Sequence, residues 1–125
     1  MDREQIEKMT AEELRLAIAK AKGWKEVYGK MYESTPMEHV YWTRPDGNRT
    51  LYPDDWAGYI SAAWDLVEEM GHMRWSITIE NMPSKPQEVV CRAFMPFIPG
   101  RINGYGETAP LAICRCWLAW KREAK

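Results

Sequence analysis

One stretch of the chain, residues 92–115, concentrates side chains that can bind a phosphorylated ring compound. The candidates are Arg92, Phe94, Phe97, Arg101, Asn103, Tyr105 and Arg115. The planar guanidinium group of arginine matches phosphate oxygens, and an aromatic ring offers a face on which a purine stacks. The amide of Asn103 can read a polar edge of a base or a ribose. The alternative is a solvated rim over an ordinary core, and the residue types alone leave both interpretations open.

Catalytic and metal-binding chemistry is poorly represented in the sequence. His39 and His72 lie in different predicted elements, with no Cys or carboxylate at ligand spacing. No Gly-x-Ser-x-Gly motif occurs, and the glycine-rich segment 100–106 lacks the Gly-Lys-Ser/Thr end of a phosphate-binding loop. Glu68 and Glu69 are typical of a solvated helix end. We therefore predict a protein that is not an enzyme and that uses neither a metal nor a cofactor.

The charge balance bears on the class of partner. The chain has 125 residues, with 17 basic and 18 acidic side chains and a formal net charge of −1. Such a balance provides no general attraction to a nucleic-acid polymer or to an anionic membrane. No apolar run approaches the roughly 20 residues of a membrane span, and the N-terminus is polar. The three cysteines are an odd number, which favours reduced thiols and a cytoplasmic protein.

The aromatic content is unusual, with seven tryptophans among the 125 residues. Indole rings serve in cores, in interfaces and in stacking on ring systems, and composition does not separate these uses. Trp56 and Trp64, at helical spacing, are interpreted as core or subunit-contact residues. Because so many indoles exceed the needs of a small core, we expect some of them at the surface and a symmetric homo-oligomer. Arg49 is a candidate to reach across such an interface.

Local sequence signals predict the elements that position these residues. Thr10 and Glu13 form a capping-box pattern before a helix over 11–22, which Gly23 ends. The turn sequence 45–48 joins strands over 39–44 and 49–52, and a second hairpin joins 73–79 to 88–94.

The remaining segments complete an α-β-β-α-β-β-α order. Asp54 and Asp55 are expected to cap a helix that Gly71 ends. Its predicted apolar stripe is formed by Trp56, Ile60, Ala63, Trp64 and Val67. The segment 95–106, rich in proline and glycine, is expected to form an ordered loop or a broken strand. Thr108 caps the last helix. We predict a single α+β domain over 1–125, with an antiparallel sheet covered by helices.

Three blocks of the sequence resemble the phage ABA sandwich domain family. They are Gly23-Trp24, the segment 54–69 and the block Glu107-Thr-Ala-Pro-Leu-Ala-Ile-Cys-Arg115. The family fold, a sheet between helical layers, agrees with the predicted order of elements. One similar branch comprises the Thoeris anti-defence sponge proteins. These bind the cyclic ADP-ribose isomer made by bacterial TIR-domain enzymes and sequester it without cleaving it.

The resemblance implies a phage anti-defence protein acting in the cytoplasm of its bacterial host. Some sponge proteins also hold cyclic di- or trinucleotides, and they assemble as dimers or dimer-based hexamers with pockets between protomers. In this chain Arg115 matches a family position. The other assignments rest on side-chain chemistry.

In that interpretation Phe94 or Trp75 stacks on adenine. Arg115, Arg92 and Arg101 neutralise the pyrophosphate, and Asn103 reads a polar edge. Two alternatives stay open: a small phage accessory module that contacts a protein through an aromatic surface, and an enzyme that hydrolyses the nucleotide.

Overall fold

A computed structural model describes residues 2–123 and shows an α+β protein, as predicted. The helices are α1 (Arg3–Lys8), α2 (Ala11–Ala21), α3 (Ile60–His72) and α4 (Ala109–Glu123). The strands are β1 (Lys25–Gly29), β2 (His39–Thr43), β3 (Arg49–Thr50), β4 (Ser76–Met82), β5 (Lys85–Phe94) and β6 (Ile102–Gly106). Within the described residues the strands form two separate antiparallel sheets, ordered β1-β2-β3 and β4-β5-β6.

The first two helices begin as local sequence rules require. The Thr10 hydroxyl accepts a hydrogen bond from the Glu13 backbone N–H, while the Glu13 carboxylate accepts one from the Thr10 N–H. Asp2 and Gln5 form the same reciprocal pair at the start of α1. Each box satisfies backbone donors that have no partner inside the helix. The predicted helix over 11–22 is confirmed.

The first sheet contains the predicted hairpin around residues 45–48. The backbone N–H of Asn48 donates to the Asp46 carboxylate at 2.9 Å, and Gly47 has a φ of +90°. A left-handed residue is what this tight turn requires, and glycine adopts it without a steric cost. Strand β1 adds to the other side of β2, with Lys25 paired to Thr43.

The second sheet confirms the hairpin of β4 and β5 and adds a strand that the sequence obscured. Residues 102–106 pair with β5 from Val89 to Ala93, although a loop or a broken strand was expected there. The glycines are explained by packing. A Cβ atom on Gly104 would lie 2.2 Å from the backbone N of Cys116, and one on Gly106 would lie 2.7 Å from the Cβ of Leu111. Glycine allows α4 to lie directly against β6.

Helix α3 begins later than its sequence pattern indicated. The Asp55 carboxylate accepts a hydrogen bond from the Gly58 N–H at 3.0 Å, and this local turn delays the helix to Ile60. Trp56 is therefore buried outside the helix. The predicted stripe is wrong in part, because Ile60 is 51% exposed and Trp64 is 48% exposed. The buried side of α3 is formed by Ala63, Leu66 and Met70.

Most of the tryptophans belong to the core. Five of the seven are buried: Trp24, Trp42, Trp56, Trp117 and Trp120. Trp24 and Trp56 meet edge to face with their ring centroids 5.5 Å apart, a favourable geometry for two aromatic quadrupoles. The expected surplus of surface indoles is thus confined to Trp64, with Trp75 half-buried.

Helix α4 is the centre of the packing. It contacts β5, β6, α2 and α3, and its eight buried residues run from Ala112 to Trp120. No helix within residues 2–123 is long and apolar enough to cross a membrane.

Candidate functional site

The second sheet has two chemically distinct faces. Strand side chains alternate between faces, so Cys91 and Ala93 of β5 are buried towards α4 while Arg92 and Phe94 lie on the other side. We call that other side the outer face. It is formed by Ser76, Thr78, Glu80, Val90, Arg92, Phe94, Asn103 and Tyr105, with Arg101 beside it.

The strand register brings four predicted site residues together on the outer face. Arg92 of β5 is the direct cross-strand neighbour of Asn103 in β6. The guanidinium carbon of Arg101 lies 5.6 Å from the centroid of the Phe94 ring, within the range of a cation–π contact. Residues separated by up to eleven positions in sequence thus form one surface.

Arg92 has a partner that the sequence analysis missed. Its guanidinium group forms an ion pair with the Glu80 carboxylate on the neighbouring strand β4. The Arg92 side chain is 23% exposed and that of Glu80 is 55% exposed. The alternation of β4 was the available signal, since Thr78 and Glu80 fall opposite to Ile77 and Ile79. A phosphate at this face would compete with Glu80 for the arginine.

Asn103 is poised to accept a hydrogen bond. Its amide nitrogen donates to the Tyr105 hydroxyl oxygen at 3.2 Å. Its amide oxygen is buried and has no hydrogen-bond partner among residues 2–123. A buried acceptor without a donor is costly, so unsatisfied polar atoms in native proteins call for an explanation. An amino group of a base, or a ribose hydroxyl, is a donor of the required kind.

The loop between β5 and β6 borders the same face. Phe97 is fully exposed and has a φ of +69°, in the left-handed region that non-glycine residues rarely adopt. Ile98 is also exposed, and Gly100 has a φ of +103°. Such strain concentrates at ligand-binding segments. The loop therefore presents two exposed apolar side chains, Phe97 and Ile98, between β5 and β6.

Arg115, the residue matched to the family, lies away from the outer face. Its guanidinium group donates to the backbone carbonyl of Tyr105 at 2.6 Å and to that of Met9 at 2.8 Å. These bonds join α4 to the free edge of β6 and to the end of α1. Arg115 also lines a cavity of about 590 Å³ at that edge.

The surroundings of Arg115 include a perturbed carboxylate. Burial raises the pKa of Glu7, and the positive charge of Arg115 only partly opposes this effect. Arg115 is connected to the outer face through Tyr105, whose hydroxyl group contacts Asn103. Arg115 therefore holds the backbone of β6 at Tyr105.

Two other predicted residues are not brought to the outer face. Trp75 points towards α4, where its ring meets Trp120 at a centroid distance of 6.5 Å and an interplanar angle of 85°. Of the two residues expected to stack on adenine, only Phe94 therefore lies beside Arg92. Arg49 lies in the first sheet, with its guanidinium carbon 5.9 Å from the Tyr32 ring and 5.8 Å from the Tyr41 ring.

The cysteines belong to the core. Cys91, Cys114 and Cys116 are free and buried, and burial raises the pKa of the Cys114 thiol well above its usual range. Among residues 2–123 no three His, Cys, Asp or Glu side chains are grouped to hold a metal ion. The outer face offers two guanidinium groups, an aromatic ring, an amide and a phenol, together with the Glu80 carboxylate that pairs with Arg92.

One known protein family matches most of the chain. The family model of the phage ABA sandwich domain matches residues 22–116. The chain belongs to the phage ABA sandwich domain family. No curated protein and no solved structure matches the chain. The ABA sandwich match includes both sheets, the whole outer face and Arg115. It leaves out α1, α2 and the end of α4.

Proposed function

We propose that this ABA sandwich protein binds a small cyclic nucleotide signal at the outer face and sequesters it unchanged. The proposed ligand is the cyclic ADP-ribose isomer made by TIR-domain enzymes. By removing this messenger, the protein would let a phage block Thoeris-type immune signalling. The resemblance to the sponge branch supplies the ligand class. The observation that carries the proposal is the unpartnered amide oxygen of Asn103 beside Arg92 and Phe94.

Each part of such a ligand has a counterpart on the outer face. Phe94 offers a ring for adenine, and base–aromatic stacking is worth about 1–3 kcal/mol. Arg92 and Arg101 provide planar donors for the pyrophosphate, where charge-assisted bonds are the strong ones. Asn103 accepts a hydrogen bond from the base or the ribose. The carboxylate nearest to this cluster, Glu80, already pairs with Arg92, which supports binding without cleavage.

Sequestration acts by mass action, so it requires tight binding and slow release. We expect it to take place in the host cytoplasm, where the messenger is made. A flat sheet face alone encloses a small ligand poorly, because ligand sites are usually concave. We therefore propose that a second copy of the chain closes the site, in a dimer or a dimer-based hexamer. Exposed Tyr59, Ile60 and Trp64 around the start of α3 support self-association.

The test is a depletion assay with purified protein. The protein is mixed with a cyclic ADP-ribose isomer or with cyclic di- or trinucleotides, and free ligand is measured by filtration before and after heat denaturation. Depletion followed by recovery of intact ligand is expected. New products after heating would instead identify an enzyme, and absence of depletion with every ligand would refute the proposal.

Variants locate the site within this assay. Phe94→Ala and Asn103→Ala are each expected to weaken binding about tenfold, the scale of one stacked base or one hydrogen bond to a buried acceptor. Tyr28→Ala is the matched control, because Tyr28 is 70% exposed on β1 in the other sheet. Equal losses in all three variants would exclude the outer face as the site.

A protein-binding module is the second candidate function. The exposed apolar residues Tyr59, Ile60 and Trp64 favour it, since contiguous apolar surface commonly marks an interface. It would be preferred if the protein depletes no nucleotide but remains monomeric and folded.

A further inference from the structure

A large cavity lies on the helical side of the molecule, away from the outer face. It has a volume of about 690 Å³ and lies between α1, α2, the end of α3 and the last turns of α4. Ile6, Ala17, Leu118 and Trp120 form apolar walls. Cavities that bind small organic ligands are usually about 300–1,000 Å³ and mainly apolar.

Charged groups around this cavity are mostly positive. Lys20, Lys121 and Arg122 line it together with a single carboxylate, Glu69. Glu69 is already occupied, because its two oxygens accept hydrogen bonds from Lys22 at 2.9 Å and from the Trp117 indole at 3.2 Å. Lys121 also lies 3.6 Å from a Glu69 oxygen, so Lys121 would be shared between Glu69 and a bound anion. The cavity thus combines an apolar interior with a positive rim.

Trp120 adds a polar group without a partner. The residue is only 4% exposed, and its indole N–H has no hydrogen-bond acceptor among residues 2–123. A buried donor left without an acceptor carries a desolvation cost. An anionic oxygen bound in the cavity would supply that acceptor, and the nearby Lys121 ammonium, 5.8 Å from the Trp120 ring, would balance its charge.

We infer that this cavity is a binding site for an amphipathic organic carboxylate, with an alkyl or aryl body against the apolar walls and its head group towards Lys20 and Lys121. The site is independent of the proposed nucleotide-binding face. Most of its lining residues also fall outside the family match over 22–116, which includes only Glu69 and Met73 of that lining.

Three probes with the same ten-carbon chain test the charge requirement. Titration calorimetry and tryptophan fluorescence are measured with decanoate, decan-1-ol and decyltrimethylammonium, each below its micellar concentration. Decanoate is expected to bind at least tenfold more tightly than the alcohol, and the cation is expected not to bind. Equal binding of all three would overturn the inference, because it would show unspecific apolar adsorption. No binding of decanoate would also overturn it.

Two substitutions test the location. Ala17→Leu fills the cavity with a larger apolar side chain and is expected to abolish decanoate binding. Trp120→Phe keeps an aromatic wall and removes the N–H, with an expected fivefold to tenfold loss, roughly the effect of one hydrogen bond to a charged group. Trp64→Phe makes the same change on an exposed indole and should leave binding unchanged.

The nucleotide assay separates this inference from the proposed function. Ala17→Leu is expected to deplete the cyclic nucleotide as the unmodified protein does, and Phe94→Ala is expected to bind decanoate normally. Unchanged decanoate binding in folded Ala17→Leu and Trp120→Phe would refute the cavity while leaving the outer face untouched. A second copy covering the cavity would appear as loss of decanoate binding with rising protein concentration, and this too would count against the inference.

Discussion

Replacing Gly104 with alanine is expected to separate α4 from the strand that carries Asn103 and Tyr105. The added Cβ atom would lie 2.2 Å from the backbone nitrogen of Cys116 and 2.3 Å from the carbonyl oxygen of Ala112. Ordinary carbon contacts are about 3.5–4.0 Å, so both distances are far too short. Because these are backbone atoms within a helix, no single side chain can move to relieve the overlap. The whole helix or the strand must shift.

The size of the effect follows from this rigidity. Overpacking of a core costs typically about 1–3 kcal/mol, and backbone overlap places Gly104→Ala at the upper end of that range. Alanine also reduces the conformational entropy of the unfolded chain, which stabilises the folded protein by only about 0.4–1 kcal/mol. We expect a net destabilisation of about 2 kcal/mol. With a urea m value of about 1.5 kcal/mol/M, the unfolding midpoint would fall by about 1.3 M.

Urea unfolding followed by tryptophan fluorescence measures this loss, and Gly71→Ala is the matched control. Gly71 lies in α3, and a Cβ atom there meets nothing within 4 Å. The same substitution should therefore stabilise the protein by about 0.5 kcal/mol, since glycine is a poor helix former. If Gly104→Ala unfolds at the same urea concentration as the unmodified protein, the close packing of α4 on β6 is wrong. If it does not fold at all, Gly106→Ala, with a milder overlap, should show an intermediate loss.

Three further outcomes are expected. Arg115→Ala removes two charge-assisted hydrogen bonds, to the backbone carbonyls of Tyr105 and Met9. It should lower the free energy of unfolding by about 3 kcal/mol in the same urea assay. A loss below about 1 kcal/mol would contradict the structural role of Arg115. Burial favours the neutral form of Glu69, but the hydrogen bond and the charge of Lys22, together with Lys121 and Trp117, outweigh burial and lower the pKa of Glu69 from its usual value. The ionised Glu69 therefore stabilises the protein above the usual glutamate pKa, and this contribution is lost as the pH falls through the lowered pKa. In thermal unfolding, Glu69→Gln should be less stable than the unmodified protein at pH 7, and the difference should shrink in acid. Trp64→Gln should reduce the oligomeric mass measured by light scattering without changing the unfolding midpoint of the monomer, and an unchanged mass would exclude this surface from the interface.

The candidate site residues were predicted from residue types, and strand register brings some of them onto one face. Arg92, Phe94 and Asn103 were chosen for their chemistry, and antiparallel pairing places them on one face. Trp75 is an aromatic residue like Phe94 and was an equal candidate for stacking. Its side chain, however, points to the same side of the sheet as Ile77 and Ile79, opposite to that of Phe94. One residue of offset in a strand moves a side chain to the opposite face, so the choice between these two aromatics depends on the packing of α4.

The extent of the elements was harder to predict where distant contacts compete with local signals. The glycines at 104 and 106 suggested a loop, because a glycine in a strand has no side chain to pack. Their actual role is to let a helix approach, and this requires knowing which helix lies opposite. The start of α3 likewise depended on a turn that Asp55 forms with Gly58. The sequence alone could not weigh that turn against the helical cap it resembles.

The sequence by itself determined the capped helix α2, both hairpins, the α+β class and the family, because capping boxes, turn residues and alternating hydrophobicity act over a few neighbouring positions. Only the tertiary structure decided that the strands form two sheets, that Arg115 binds backbone carbonyls, and that a cavity with a positive rim lies between the helices. Those features arise from groups far apart in the chain, such as Met9 and Arg115. Their contact depends on how α4 packs against the second sheet and the other helices together.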